Sequence, residues 1–136
     1  MWSVELILFS SRSTLNFNEV YKMKILNVEL PDIDLMEFSV VEKWENAFEK
    51  LTDKMDSIPD NEKESQRIKT ICVAVFELFN EIFGEGTDKL VFGDKVNMFD
   101  CTMAVAELKA EGDRIVGEKS QITRKLADKY SIGRLK

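Results

Sequence analysis

The stretch RIKTICVAVFELFNEIFGEG, residues 67–86, decides how the chain folds. Ile68, Ile71, Cys72, Val75, Phe76, Leu78, Phe79, Ile82 and Phe83 recur at helical spacing. At 100° per residue they span an arc of about 160°. Lys69, Thr70, Glu77, Asn80 and Glu81 take the other side. An apolar face that wide touches two neighbours, so this segment is the expected central helix of three. Gly84 and Gly86 end it, because glycine accepts the backbone that closes a helix. Phe76 and Phe83 lie near one edge of the arc and are expected to be partly exposed. Two readings follow for the aromatics: ordinary core, or core with a surface kept for a partner.

The flanking segments supply the two neighbours. Upstream, Val40, Val41, Trp44, Ala47, Phe48, Leu51, Met55 and Ile58 cover an arc of about 120°, a core-facing stripe. Asp34 with Glu37, or Ser39 with Glu42, offers its capped start, and Pro59-Asp60-Asn61 its stop. Downstream, GEGTDKLVFGDKVN, residues 84–97, reads as a Gly-rich connection whose apolar centre, Leu90-Val91-Phe92, packs down as a plug. Asn97 and Asp100 suit the start of the last helix. From there Met98, Cys101, Val105, Leu108, Gly112, Ile115, Lys119, Ile122 and Leu126 alternate spacings of three and four, a heptad seam. Gly112 and Lys119 weaken its second half. The helix is therefore expected to dock up to about residue 110 and to continue as a basic extension, either frayed or paired with another chain.

Composition agrees with a helical domain. The chain has 136 residues, 44% hydrophobic and 32% charged, with two Pro and six Gly. Net charge is −6, which argues against a general nucleic-acid binder. The charge is uneven: residues 113–136 hold seven Lys/Arg against three Asp/Glu, a balance of +4, which leaves −10 for residues 1–112. The expected architecture is mainly α: a three-helix domain with a short N-terminal extended segment or hairpin and a Gly-rich loop before the last helix. Residues 23–112 form the helical domain and 113–136 its basic helical extension.

Residues 1–22 read differently. SSRSTLNFNEVYK is polar and lacks helical period, and Met23 then opens MKILNVELPDID. The expectation is a leader foreign to the fold, with Met23 as the natural start. The alternative is an N-terminal strand, WSVELILF, pairing with KILNVEL as a hairpin.

Familiar chemistry is missing. There is no His and no CxxC, so zinc sites and His-based triads are absent. DKMDSIPDNEKE lacks EF-hand spacing, and no phosphate-cradling Gly-Lys-Ser/Thr follows the glycines. Cys72 and Cys101 sit on apolar faces and read as buried free thiols of a reducing cytosol, although sequence alone leaves a disulfide open. No apolar run is long enough to span a bilayer. The expectation is a non-enzymatic, cytoplasmic protein without cofactor or metal, bound to neither membrane nor nucleic acid.

From Met23 onward the chain resembles the tail assembly chaperones of long-tailed phages and prophages of Firmicutes. MKILNVELPDID leads into EKWENAFEKL, similar to that family's Glu-Lys-Tyr-Glu-x-Ala-Leu pattern, with Trp44 and Phe48 in the larger apolar positions. VFELFNEIFGEGTDKLVFGDKVNM resembles its aromatic helix, Phe-Gly-Glu-Gly turn and Phe-Gly-x-Lys-Val-Asn loop. Lys-Tyr-Ser at 129–131 echoes its ending, where the family often continues Pro-Asn-Arg and this chain reads Ile-Gly-Arg. The resemblance implies a small helical protein of the bacterial host cell that binds tape measure protein helices. It would keep them soluble until tail-tube subunits polymerise. Such a task suits an apolar surface of moderate, reversible affinity, rich in Met and aromatic side chains. Its candidate residues here are Phe76, Phe79, Phe83, Phe92, Met98 and Met103, with the C-terminal helix as a site of homo-oligomer formation. A second reading is a small acidic inhibitor or antitoxin-like protein that binds one folded target; a third is a structural tail component.

Overall fold

A computed structural model describes residues 23–129. The expected leader and most of the Lys-Tyr-Ser ending lie outside the described residues. The described residues divide between two compact units, the first ending at residue 33 and the second beginning at residue 34.

In the first unit, strands β1 (Met23–Ile25) and β2 (Val28–Leu30) form an antiparallel hairpin. Of the extended segment or hairpin expected at the N-terminus, the structure shows the hairpin, and it lies within MKILNVEL. Leu26 and Asn27 make the turn with φ of 52° and 67°. Two left-handed residues in succession give the turn whose twist matches that of paired strands. Leucine is an uncommon choice there, so no Asn-Gly signal announced the reversal. Met23 pairs with Leu30 and Ile25 with Val28, while Lys24 faces Glu29 with opposite charge on the other side. Met23, Ile25 and Leu30 are buried.

The second unit is helical. Helices α1 (Phe38–Asp56), α2 (Glu64–Phe83), α3 (Thr87–Phe92) and α4 (Met98–Lys129) follow in order. Helix α2 is central as its wide face requires: α1 packs most extensively on it, and both α3 and α4 also contact it. Its buried residues are Cys72, Ala74, Val75, Leu78, Phe79 and Ile82. Cys72 and Cys101 are both buried and free.

Local chemistry sets the corners. Asn97 caps α4 as its sequence position suggests, its Oδ1 accepting a hydrogen bond from the Asp100 N–H at 2.9 Å. Asp34 does not cap α1. Its Oδ1 accepts from the Met36 N–H at 3.0 Å, a turn that delivers the chain to Glu37, where the helix begins without a side-chain cap. The connection read as a loop over 84–97 contains the short helix α3. Two side chains hold it: the Thr87 hydroxyl donates to the Gly84 carbonyl at 2.7 Å, and Asn80 Oδ1 accepts from the Asp88 N–H at 3.0 Å. Six residues are too few to announce a helix by period, which is why the pattern missed it.

Helix α4 docks further than expected. Cys101, Ala104, Leu108, Gly112 and Ile115 are buried, so the covered stretch reaches five residues past the expected limit. Gly112 explains this. A Cβ built there would lie 2.7 Å from Cη2 of Trp44, so the indole occupies the space that a side chain would fill. The glycine that weakens the seam on paper is where α4 admits the Trp44 ring of α1. Lys109 adds a contact beside it, its ammonium 5.8 Å from the Phe48 ring centroid.

Candidate functional site: an exposed apolar face at the start of helix α4

The aromatic residues of α2 divide between core and rim. Phe79 is fully buried, and the Phe92 ring from α3 meets it edge-on at 5.6 Å. Phe76 packs on Phe92 at 5.0 Å, and Phe83 stacks near Phe79 at 6.1 Å. Four of the six candidate residues therefore form one cluster. Its energetic role is packing: such offset and edge contacts add about 0.5–1.5 kcal/mol per pair to burial itself. Phe79 and Phe92 are consequently corrected from partner-binding residues to core. The plug formed by α3 seals the very face on which they lie, with Val91 buried beside Phe92. Phe76 and Phe83 remain half-buried at the rim, as their edge positions require.

Met98 is half-buried and Met103 is 37% exposed. Three more large apolar residues are exposed: Phe99 and Val96, which the sequence reading passed over, and Leu90, which it placed in the packed plug and which instead points away from it while Val91 and Phe92 pack down. Phe99 is 70% exposed, Leu90 67% and Val96 52%. On α4, Phe99, Met103, Ala106 and Ala110 are all exposed and lie within an arc of about 60°. The buried set Cys101, Ala104, Leu108, Gly112 and Ile115 occupies the opposite side. The helix thus carries two apolar faces, one spent on the core and one left open. The signal was present in sequence: Phe99 and Met103 are one turn apart on the side away from the seam, and Ala106 and Ala110 continue that side. Attention to the dominant seam concealed it.

The open face is built of apolar and small side chains, Phe99, Met103, Ala106 and Ala110. Among the described residues no group of three or more His, Cys, Asp or Glu is placed to hold a metal ion. Burial pushes the Cys101 thiol far above its ordinary range, and the Cys72 thiol to which it is hydrogen-bonded pushes it further. The Cys101 sulfur therefore stays protonated and inward. A groove of about 590 Å³ runs between α1 and α2, floored by Ala47, Leu51, Ala74 and Leu78. Its rim carries charges of both signs, bridged by Lys50 to Glu81 at 3.2 Å. No helix among the described residues is long and apolar enough to cross a membrane.

Fold and surface together define a class: a small, mainly helical domain with a short N-terminal hairpin and an apolar helix face left uncovered. Residues 26–136 match the family described as a family of unknown function (DUF6673), and the chain belongs to that family. No curated protein and no solved structure matches it.

Proposed function

We propose that the protein is a tail assembly chaperone that grips amphipathic helices of a tape measure protein and holds them soluble until the tail tube polymerises. The observation that carries this reading is the open face of Phe99 and Met103, with Leu90 and Val96 just upstream, on a chain of net charge −6. An exposed aromatic beside a flexible methionine suits a helical client of variable sequence. Ala106 and Ala110 continue the face with small side chains, which let a client helix approach closely. The half-buried Phe76, Phe83 and Met98 are rim residues of the same reading. The net negative charge of the chain limits self-aggregation through the apolar patch. Affinity must stay moderate because the client has to be released, and no bond is made or broken.

The resemblance of EKWENAFEKL and VFELFNEIFGEGTDKLVFGDKVNM to tail assembly chaperones directs the choice of client. Co-expression with the tape measure protein of the same gene neighbourhood tests it. The tape measure should stay in the soluble fraction and co-purify with the chain. A tape measure that precipitates equally with and without the chain would defeat the proposal. Capture of one folded toxin-like protein instead would support the inhibitor reading.

A further inference from the structure

The only two cysteines of the chain, Cys72 on α2 and Cys101 on α4, come from separate helices and meet. Both are 0% exposed, and their thiols are in hydrogen-bond contact. Packing alone asks for small apolar side chains at these positions and does not require that the two sulfurs touch. The helices that carry them already lie against each other. Sulfurs in contact on adjacent backbones have only to close to the covalent distance of about 2.05 Å, which side-chain rotation can supply.

We propose that Cys72 and Cys101 are a redox lock, a dithiol that a low-molecular-weight disulfide converts into a bond tying the start of α4 to α2. The structure shows the unlocked state, with both thiols free. While the fold is closed the pair is inert, because burial keeps the Cys101 sulfur protonated and out of reach. Cys101 is the fourth residue of α4, and its N–H donates to the Asn97 carbonyl at 3.0 Å. Opening of that first turn is the step that admits the oxidant. The Cys101 thiolate then attacks one sulfur of the small disulfide and expels the other half, which takes up the proton that Cys101 released. The Cys72 thiolate next attacks the Cys101 sulfur of this mixed disulfide and expels the second half, which takes up the Cys72 proton. The protein thus loses two electrons and two protons, and the small disulfide leaves as two thiols. The new bond closes a loop of about 30 residues that contains α3, so it also pins Phe92 over Phe79. The pair lies on the covered side of α4. The Phe99 and Met103 face stays open in both states, and the lock is independent of the client reading.

Incubation of the full chain with oxidised glutathione tests this, with and without a low urea concentration that promotes opening. The intact mass should fall by two hydrogens with no glutathione retained, and peptide mapping should join the segments that carry Cys72 and Cys101. The oxidised chain should remain a single chain, melt at a higher temperature than the reduced one and revert with dithiothreitol. Cys72→Ala should retain glutathione on Cys101, since the sulfur that expels it is gone. Thiols that stay free even in urea overturn the proposal, as do glutathione adducts that persist on the wild type, a bond formed only between chains, or a cross-link that lowers the melting temperature.

Discussion

Leu108 and Leu126 occupy the same seam of the same helix, yet one is fully buried and the other half exposed. Between them lies the point at which the body of the helical unit runs out. Upstream, α4 lies against α2, and Gly112 admits the Trp44 ring. Downstream, Val116, Ile122 and Leu126 stand in the open. The difference teaches that a heptad pattern states which face of a helix is apolar, while the reach of its neighbours states where that face is covered. It also separates covered from open apolar surface in a single element.

The largest effects should fall on the covered half. Leu108→Ala is expected to cost about 2–5 kcal/mol in urea unfolding, and Leu126→Ala under about 0.5 kcal/mol. Equal costs at the two sites would erase the distinction between docked and overhanging seam.

The two glycines sharpen it through opposite signs. Alanine in a helix interior is favoured over glycine by about 1 kcal/mol. A methyl at Gly117 would have nothing within 4 Å of it, so Gly117→Ala should raise thermal stability or helicity. At Gly112 the same methyl meets the Trp44 ring at 2.7 Å, and overpacking of this kind costs about 1–3 kcal/mol. Gly112→Ala should therefore lose stability or gain none, with a change in Trp44 fluorescence. A gain at both positions would show that the ring yields freely.

A smaller effect is expected from the buried thiol of Cys101. In the folded chain it ionises only far above its ordinary pKa of 9.0. In the unfolded chain it ionises near that value. Above about pH 9 the unfolded state therefore loses a proton that the folded state keeps, and stability falls as pH rises. Below that pH the contribution is fully present. Melting temperatures across pH 7–10 should show a steeper alkaline decline than those of Cys101→Ala. Parallel curves would mean that the thiol is not shielded.

Much of the fold was legible because it rests on local chemistry. Asn97 announces a helix start through a hydrogen bond three residues away, and Gly84 announces a stop through its own backbone freedom. The apolar arc of α2 is wide enough to demand two neighbours wherever they lie. What escaped depended on contacts distant in sequence or on segments too short to show a period. Whether Phe79 or Phe76 reaches the surface depends on where Phe92 lands. Gly112 looked like a defect because the Trp44 ring that needs it lies far upstream. The turn at Leu26-Asn27 uses a leucine where turn chemistry favours glycine or asparagine. Of the candidate surface, Phe76, Phe83, Met98 and Met103 keep some exposure, and Phe99 entered only with the structure.

The smallest expected effect on stability belongs to the residue expected to matter most for binding. Phe99 is the second residue of α4, where aspartate is favourable to the helix dipole, so Phe99→Asp should leave the melting temperature unchanged or slightly raised. The decisive measurement is the affinity of wild type and Phe99→Asp for a purified tape measure helix segment, by titration calorimetry at matched concentrations. The account predicts that wild type binds and that the substitution weakens binding by about tenfold or more, as loss of an aromatic anchor does. Equal affinity of the two proteins, or a wild type that does not bind at all, would contradict it.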